Sequence, residues 1–323
     1  MTDESDGDEG PLAPGEAFAL LGHEIRASIV EVLATADRTE RPLAFSTLRE
    51  RVGTVDSAKF NYHLGELVGH FLERTDEGYD LRRAGERVAE AVLSGAVTDD
   101  PVLERTRIDQ SCLYCGAPVT VDYRQEQVAV YCTECDGTYG ASERTSGDDQ
   151  PTEQGFLGYL SLPPVGIADR TAEEVHWAAV TWQLSEQLLA ASGTCPRCSA
   201  ALDEWLALCE DHAPADGRCQ NCNERYAAKH SASCTNCVFA RRGVFGVALL
   251  DHTALQSFLT DHGINLIAPA SDRFLSVVMD YEETVSSVDP FEASFTFTVD
   301  GDALTLTVDD DLTVVDVARS DAR

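Results

Sequence analysis

The chain has 323 residues, and 43% of them are hydrophobic, which is enough apolar material for two or three domains of ordinary size. Acidic side chains outnumber basic ones by 56 to 24, and the formal net charge is −32. No apolar run approaches the roughly 20 residues that cross a bilayer, and the N-terminus reads MTDESDGDEG, which is unlike a basic signal peptide. We therefore expect neither membrane spanning nor secretion, and we predict a cytoplasmic protein.

The acidic charge is unevenly distributed along the chain. Residues 1–15 are predicted to form an acidic, disordered tail. Residues 17–95 carry 13 acidic and 10 basic side chains, whereas residues 96–323 carry 37 and 14. This composition, with two lysines in all, resembles that of salt-in halophilic proteins, whose carboxylates keep the surface hydrated when molar salt shortens the Debye length to about 3 Å. The acidity thus indicates habitat, and the nearly neutral segment is the candidate for contact with a polyanion.

The cysteines predict three metal sites. Ten of the eleven cysteines form C-x-x-C pairs, and the eleventh, Cys209, forms a C-x-x-H pair with His212. Tetrahedral Zn(II) takes four nitrogen or sulfur ligands, so twelve ligands predict three structural zinc ions with complete ligand sets. The twelve predicted ligands are Cys112, Cys115, Cys132, Cys135, Cys195, Cys198, Cys209, His212, Cys219, Cys222, Cys234 and Cys237.

The first four cysteines have the spacing C-x2-C-x16-C-x2-C and predict a zinc ribbon within residues 96–145. The other eight ligands can pair in two ways. The sequential pairing is 195/198/209/212 with 219/222/234/237, and the interleaved pairing is 195/198/219/222 with 209/212/234/237. We favour the sequential pairing because its loops are short. Iron–sulfur ligation is the alternative to zinc, but no C-x2-C-x2-C run is present. His230 could replace a thiol, although we expect it to be an exposed polar residue.

Residues 16–95 show the pattern of a winged helix-turn-helix. Apolar residues at three- and four-residue steps from Phe18 to Leu33 predict one amphipathic helix. A short helix over 46–52 and a helix from Ser57, with Asp56 as its N-cap, follow. Two strands over 71–75 and 79–81 flank a turn, and a last helix covers about 86–94. The order of helix, helix, turn, helix, two-stranded wing and helix is typical of this DNA-binding module.

Three motifs in this region resemble those of the ArsR-like winged helix regulators. They are LGHEIRASI from Leu21, SAKFNYHL from Ser57 and YDLRRAG from Tyr79. Metal-sensing members carry a Cys-Val-Cys-type box on the helix before the turn, but here that helix contains no thiol. The resemblance therefore implies DNA binding, as a homodimer on a pseudo-palindromic site, without arsenic or cadmium sensing at that position.

The predicted recognition helix places base-reading side chains on its outer face. Lysine can reach the major-groove acceptors of guanine, and asparagine can pair with adenine. Arginines of the wing are suited to phosphate and minor-groove contacts, and His63 is expected to pack internally. The predicted DNA-contacting residues are Ser57, Lys59, Asn61, Tyr62, Arg74, Arg82 and Arg83.

Residues 146–323 are predicted to form an α+β domain that contains the second Cys/His cluster, over 195–237, and C-terminal antiparallel strands. A capping box at Thr171 opens a helix to about Ala191. Strands are predicted over 244–250, 274–284, 293–299, 303–308 and 312–317, with a helix over 253–262. No catalytic motif is recognisable, so we predict no catalytic residues and no enzyme.

The sequence as a whole predicts an α+β protein in which a winged helix is followed by a region stabilised by structural zinc ions. We predict that it is a sequence-specific transcriptional regulator that binds double-stranded DNA. Two alternatives remain. A winged helix followed by a zinc ribbon is similar to the archaeal counterpart of TFIIE alpha, which favours an adaptor that binds the transcription machinery. A zinc-dependent enzyme is the weaker alternative, and it requires one zinc ion with an exchangeable water.

Overall fold

The computed structural model describes residues 12–53, 56–139, 154–215, 217–266 and 272–322. The chain folds into two compact units, of which the first ends at Asp99 and the second begins at Asp100. Both units combine helices with strands, so the predicted α+β class is confirmed. The predicted acidic tail lies largely outside the described residues. None of the described helices is long and apolar enough to cross a membrane.

The first unit is mainly helical. Its elements are α1 (Pro14–Leu21), α2 (Glu24–Thr35), α3 (Phe45–Val52), α4 (Ser57–Leu67), β1 (Leu72–Arg74), β2 (Tyr79–Leu81) and α5 (Arg83–Leu93). Strands β1 and β2 pair antiparallel. The core is formed by apolar stripes of α2, α3 and α4, and the stripe predicted on α4 is confirmed because Phe60, Leu64 and Leu67 are all buried.

The single helix predicted from Phe18 to Leu33 is wrong. The helix breaks at Gly22, and a new helix starts after His23, whose Nδ1 accepts a hydrogen bond of 3.1 Å from the backbone N–H of Ile25. An imidazole that caps the next helix satisfies an N–H group that has no partner within the helix. The break changes the direction of the apolar stripe, and Phe18 is consequently 76% exposed.

The second unit begins with a four-stranded antiparallel sheet covered by a long helix. The strands are β3 (Leu103–Ser111), β4 (Pro118–Arg124), β5 (Gln127–Cys132) and β6 (Phe156–Ser161), in the order β3-β4-β5-β6. Helix α6 (Ala172–Ala191) packs on this sheet, and its predicted capping box between Thr171 and Glu174 is confirmed. Strand β6 lies beyond residue 145, where we predicted that the zinc ribbon ends, and it pairs with β5.

A long hairpin forms the middle of the second unit. Its two main strands are β7 (Leu202–Leu208) and β10 (Ala228–Cys234), and the two-residue strands β8 (Pro214–Ala215) and β9 (Arg218–Cys219) lie in the connection between them. Strand β11 (Ala240–Val244) pairs with the other edge of β10. The register sets Leu202 opposite Cys234 and Leu208 opposite Ala228.

The C-terminal part packs three short helices against a four-stranded meander. The elements are α7 (Phe245–Ala248), α8 (Thr253–Asp261), α9 (Asp272–Met279), β12 (Glu282–Val288), β13 (Phe291–Val299), β14 (Asp302–Val308) and β15 (Val314–Ser320). The turn predicted at Asp300-Gly301 is confirmed, with φ values of +54° and +92°. The alternating apolar residues of β13 and β14 face the core, where Phe245 stacks on Phe295 with ring centroids 4.6 Å apart.

Two predicted strands of this part are helical at their start or throughout. The strand predicted over 244–250 is α7 followed by a 3₁₀ turn, and the strand predicted over 274–284 begins as α9. In α9 the buried residues Phe274, Val277 and Val278 lie at helical spacing. A short apolar run is compatible with both the residue period of a helix and that of a strand, and these two segments adopt the helix.

Candidate metal centres and nucleic-acid interface

All twelve predicted metal ligands converge in three groups of four. In each group every ligand atom lies within 4.8 Å of the others, so each group could hold a metal ion. We name them by position: the sheet cluster lies beside β4 and β5, the open-end cluster at the open end of the β7–β10 hairpin, and the loop-end cluster in the connection between these strands. Their members are Cys112, Cys115, Cys132 and Cys135; Cys195, Cys198, Cys234 and Cys237; and Cys209, His212, Cys219 and Cys222.

The sequential pairing that we favoured is wrong, and the interleaved alternative is wrong as well. The ligands are nested, because the hairpin register sets the start of β7 opposite the end of β10. The C-x-x-C knuckle of Cys195 and Cys198, before β7, therefore meets the knuckle of Cys234 and Cys237 at the end of β10. The two pairs between them in sequence, 209/212 and 219/222, meet at the other end of the strands. Seven residues per strand at about 3.3 Å each separate the two clusters by roughly 20 Å.

The sheet cluster has the geometry of two facing knuckles. The Sγ atoms of Cys112 and Cys135 are 3.6 Å apart, and those of Cys115 and Cys132 are 3.5 Å apart. The backbone N–H groups of residues 134 and 135 donate to Cys132 Sγ at 3.4 and 3.3 Å. Burial raises the pKa of Cys112 well above its usual range. Burial therefore disfavours the thiolate of Cys112, and a cation bound between the four sulfurs would favour it.

In the open-end cluster, hydrogen bonds favour the thiolate of one ligand, Cys198. The Sγ–Sγ distances are 3.6 Å for Cys195 with Cys237 and 3.5 Å for Cys198 with Cys234. The backbone N–H of Ala200, and then the side-chain amide of Asn236, lower the pKa of Cys198 to about 6. Hydrogen bonds to sulfur stabilise the charged form of a thiol, which is the form that binds a metal ion.

The loop-end cluster contains the imidazole ligand. His212 Nδ1 lies 3.5 Å from Cys222 Sγ, and its Nε2 lies 3.2 Å from the carbonyl oxygen of Arg225. A carbonyl can only accept, so Nε2 carries the proton and the lone pair of Nδ1 points to the thiols. Burial alone would raise the pKa of Cys219, but N–H groups that include those of Cys222 and Ala213 lower it to about 7.

His230 belongs to none of these groups, and its predicted exposure is wrong. The side chain is 6% exposed in the middle of β10, and its Nε2 lies 3.7 Å from Glu204 Oε2. Residues of β10 alternate between two covered faces of the sheet, which is why a polar residue of this strand is enclosed. No pattern in the local sequence predicts the burial of His230 or the contact between His212 Nε2 and the carbonyl oxygen of Arg225.

The outer face of α4 carries the predicted base-reading residues. Asp56 caps the helix as predicted, since its Oδ1 accepts from the N–H groups of Ala58 and Lys59 at 2.8 and 3.0 Å. The cap fixes the start of the helix, and the buried stripe fixes its rotation. Four predicted contact residues therefore lie exposed along the first two turns; these are Ser57, Lys59, Asn61 and Tyr62.

The three predicted wing arginines are also exposed. Arg74 ends β1 and lies 6.0 Å from the ring of Tyr79, and Arg83 pairs with Glu86 at 2.7 Å at the start of α5. By contrast, His63 is buried, as predicted, and its ring centroid lies 3.9 Å from that of His23. Burial, and then the neighbouring His23, lower the pKa of His63, which favours the neutral imidazole in the core.

Comparison with protein families matches most of the chain. Residues 109–314 match a domain of unknown function, DUF7351. The chain belongs to the DUF7351 family. The DUF7351 region includes all three ligand clusters, and residues 14–92, from the start of α1 into α5, match a second domain of unknown function, DUF7347. No curated protein and no solved structure matches the chain.

Proposed function

We propose that this DUF7351 protein is a sequence-specific transcriptional regulator that binds double-stranded DNA through a winged helix in its first unit. The proposal is supported mainly by α4, which buries one apolar stripe and exposes Lys59 and Asn61 on the opposite side. The element order from α2 to α5 also agrees with a winged helix-turn-helix, in which α4 would be the recognition helix and the β1–β2 hairpin the wing.

The exposed groups suit the two kinds of contact that such a protein needs. Lys59 can donate to guanine O6 and N7, and Asn61 can form two hydrogen bonds with adenine in the major groove. The wing arginines, Arg74, Arg82 and Arg83, would bind phosphates and orient the helix. Because residues 17–95 carry nearly balanced charge, with 13 acidic and 10 basic side chains, this segment meets the polyanion with much less repulsion than the strongly acidic second unit.

We propose that all three clusters bind Zn(II) with a structural role. A tetrahedral ion with Zn–S bonds of about 2.3 Å sets its sulfur ligands about 3.8 Å apart, close to the 3.5 and 3.6 Å distances found here. Donors this close surround a single ion and leave no space for an iron–sulfur cluster. Each ligand set is complete, which is typical of a structural site and disfavours the zinc-enzyme alternative.

Genome-wide binding of the tagged protein in molar salt tests the DNA proposal. The double variant Lys59→Ala, Asn61→Ala is compared with the wild type and with a control variant, Arg87→Ala, Glu90→Ala, which removes an exposed ion pair of α5. We expect discrete peaks that share a sequence motif, that persist in the control and that disappear in the first variant. Diffuse signal at every active promoter, unchanged in all three proteins, would instead establish the transcription-machinery adaptor.

A further inference from the structure

The segment from Cys209 to Arg225, which carries the loop-end cluster, has no hydrophobic core of its own. Its sequence, CEDHAPADGRCQNCNER, contains no valine, leucine, isoleucine, methionine, phenylalanine, tyrosine or tryptophan. In the described part of this segment, 209–215 and 217–225, the regular elements are the two-residue strands β8 and β9. Burial of apolar side chains is the main source of order in a small folded region, and this segment has almost none to bury. Its order therefore depends on an ion held by its four metal ligands.

Arg225, at the end of this segment, contacts both the loop-end cluster and the sheet cluster. Its carbonyl oxygen accepts a hydrogen bond of 3.2 Å from Nε2 of His212. Its guanidinium carbon lies 3.9 Å from the centroid of the Tyr114 ring. Tyr114 stands between Cys112 and Cys115, in the first knuckle of the sheet cluster. One residue thus connects a ligand of one cluster with the knuckle of the other.

The ring of Tyr114 is anchored, so the guanidinium meets it at a fixed place. The hydroxyl of Tyr114 donates to the carbonyl oxygen of Met279 at 3.3 Å. Tyr226, which follows Arg225 directly, donates to the same oxygen at 2.8 Å. The guanidinium itself pairs with Asp280 at 3.2 Å, and its side chain is 27% exposed. A cation is attracted more strongly to an aromatic ring when both are partly removed from water, so this contact stabilises the knuckle around Tyr114.

We propose that the loop-end cluster and the sheet cluster bind their metal ions cooperatively, with Arg225 as the positioning residue that couples them. The inference rests on the proposed binding of zinc and extends it. An ion in the loop-end cluster fixes His212, whose hydrogen bond fixes the backbone of Arg225 and thereby the guanidinium over Tyr114. Without that ion the segment loses its order, and the knuckle of the sheet cluster loses a contact that holds its two thiols in place.

Coupling of this kind acts equally in both directions. An ion in the sheet cluster fixes the knuckle and the ring of Tyr114, which then favours the ordered position of Arg225. The segment thus has an ordered and a disordered arrangement, and both ions favour the ordered one. By linkage, each ion raises the affinity of the other cluster by the same factor. The open-end cluster lies roughly 20 Å from the loop-end cluster along the strands and serves as an internal control.

Pulsed alkylation of the cysteines in the full chain, assigned by mass spectrometry of the peptides, tests this coupling. The protein is equilibrated with increasing concentrations of a zinc chelator, and the thiols of a cluster react once the cluster has lost its ion. Of the two coupled clusters, the one that empties first in the wild type does so while the other is still occupied. The chelator concentration at its midpoint therefore includes the coupling.

Disabling the other cluster should remove this advantage. The variant is Cys222→Ser if the sheet cluster empties first, and Cys115→Ser if the loop-end cluster does. We expect the midpoint of the first cluster to fall at least about fivefold, the lower end of the usual range for coupled sites. Four complete ligands bind zinc tightly compared with this factor, so the cluster is weakened and not emptied. Cys198→Ser disables the open-end cluster and should leave both midpoints unchanged.

Two arginine variants test the role assigned to Arg225. Arg225→Ala keeps the backbone carbonyl that accepts from His212 and removes only the side chain, and it should reduce the shift to less than half. The matched control is Arg319→Ala. Arg319 also lies over an aromatic ring, that of Phe258 at 5.4 Å, and pairs with an aspartate, Asp261, at 2.8 Å, so this variant should keep the full shift. The comparison is a double-mutant cycle, which separates the coupling from a general loss of stability.

Three results would each overturn the coupling. These are a shift smaller than about fivefold, a shift that Arg225→Ala reduces by less than half or no more than Arg319→Ala does, and an equal shift caused by Cys198→Ser. Cysteines that react fully before any chelator is added would refute the binding of zinc itself, and this inference with it. Failure of the coupling alone leaves the cysteines protected, with independent midpoints for the clusters, and the zinc proposal stands.

Discussion

The nested pairing of ligands around the β7–β10 hairpin can be tested by counting metal ions. Serine is a poor substitute for a thiolate ligand, so a cluster that loses a ligand should bind zinc much more weakly and lose it during purification with a chelator. The double variant Cys195→Ser, Cys234→Ser removes two ligands that share the open-end cluster. In the sequential and interleaved pairings the same two cysteines belong to different sites. The variant should therefore lose one ion if the pairing is nested and two ions otherwise.

The size of the effect follows from the geometry. The two removed sulfurs are half of one donor set whose cross-pair distances are 3.5 and 3.6 Å, and the remaining pair cannot complete a tetrahedron. The loop-end cluster is roughly 20 Å away along the strands and keeps all four ligands. We therefore expect zinc content to fall from three ions per chain to two, measured by mass spectrometry of the metal after denaturation.

A second double variant removes the same number of cysteines but from two clusters. Cys195→Ser, Cys219→Ser takes one ligand from each hairpin cluster and should lose two ions, leaving only the sheet cluster. Equal zinc content in the two double variants would refute the nested pairing. Binding of a structural zinc contributes about 10 kcal/mol or more, comparable with the stability of a whole domain, so the second variant should also lose the hairpin's ordered ends.

Three further predictions concern single side chains. Asp56→Ala leaves two N–H groups of α4 without their acceptor and should lower the unfolding midpoint of the first unit by a few degrees. Asp56→Asn keeps an acceptor oxygen and should retain most of the wild-type stability. An equal decrease of the midpoint in both variants would contradict a capping role. His262 directs both ring nitrogens at acceptors, a backbone carbonyl one turn earlier at 2.8 Å and Asp302 at 3.0 Å, which raises its pKa. The stabilisation is complete below the usual histidine pKa of 6.5 and is lost as pH rises through the raised pKa of His262. Denaturation curves of the wild type and His262→Gln should therefore converge at alkaline pH. A difference in stability that stays constant with pH would contradict this prediction. Arg225→Ala removes a guanidinium centred 3.9 Å over the ring of Tyr114 and should cost about 1 kcal/mol in chemical denaturation, and no change would show that the contact contributes nothing.

Features set by neighbouring residues were predictable from the sequence. The i, i+3 spacing of each pair predicted the twelve residues that converge in the three groups, because two donors three residues apart can reach one ion without help from the rest of the chain. The caps at Asp56 and Thr171 are local hydrogen bonds of the same kind. The buried stripe of α4 followed from helical periodicity, since one face of a helix needs no information about its partner.

The tertiary structure alone decided which C-x-x-C and C-x-x-H pairs converge in one group, because that depends on the register of β7 against β10. The residues that meet there, such as Cys198 and Cys234, are far apart in sequence, and no local pattern states their distance. The same reason explains the burial of His230 and the helical start of the segment at Phe274, whose conformation is selected by the core against which it packs. Ligand identity is a property of short segments, whereas ligand pairing is a property of strand register.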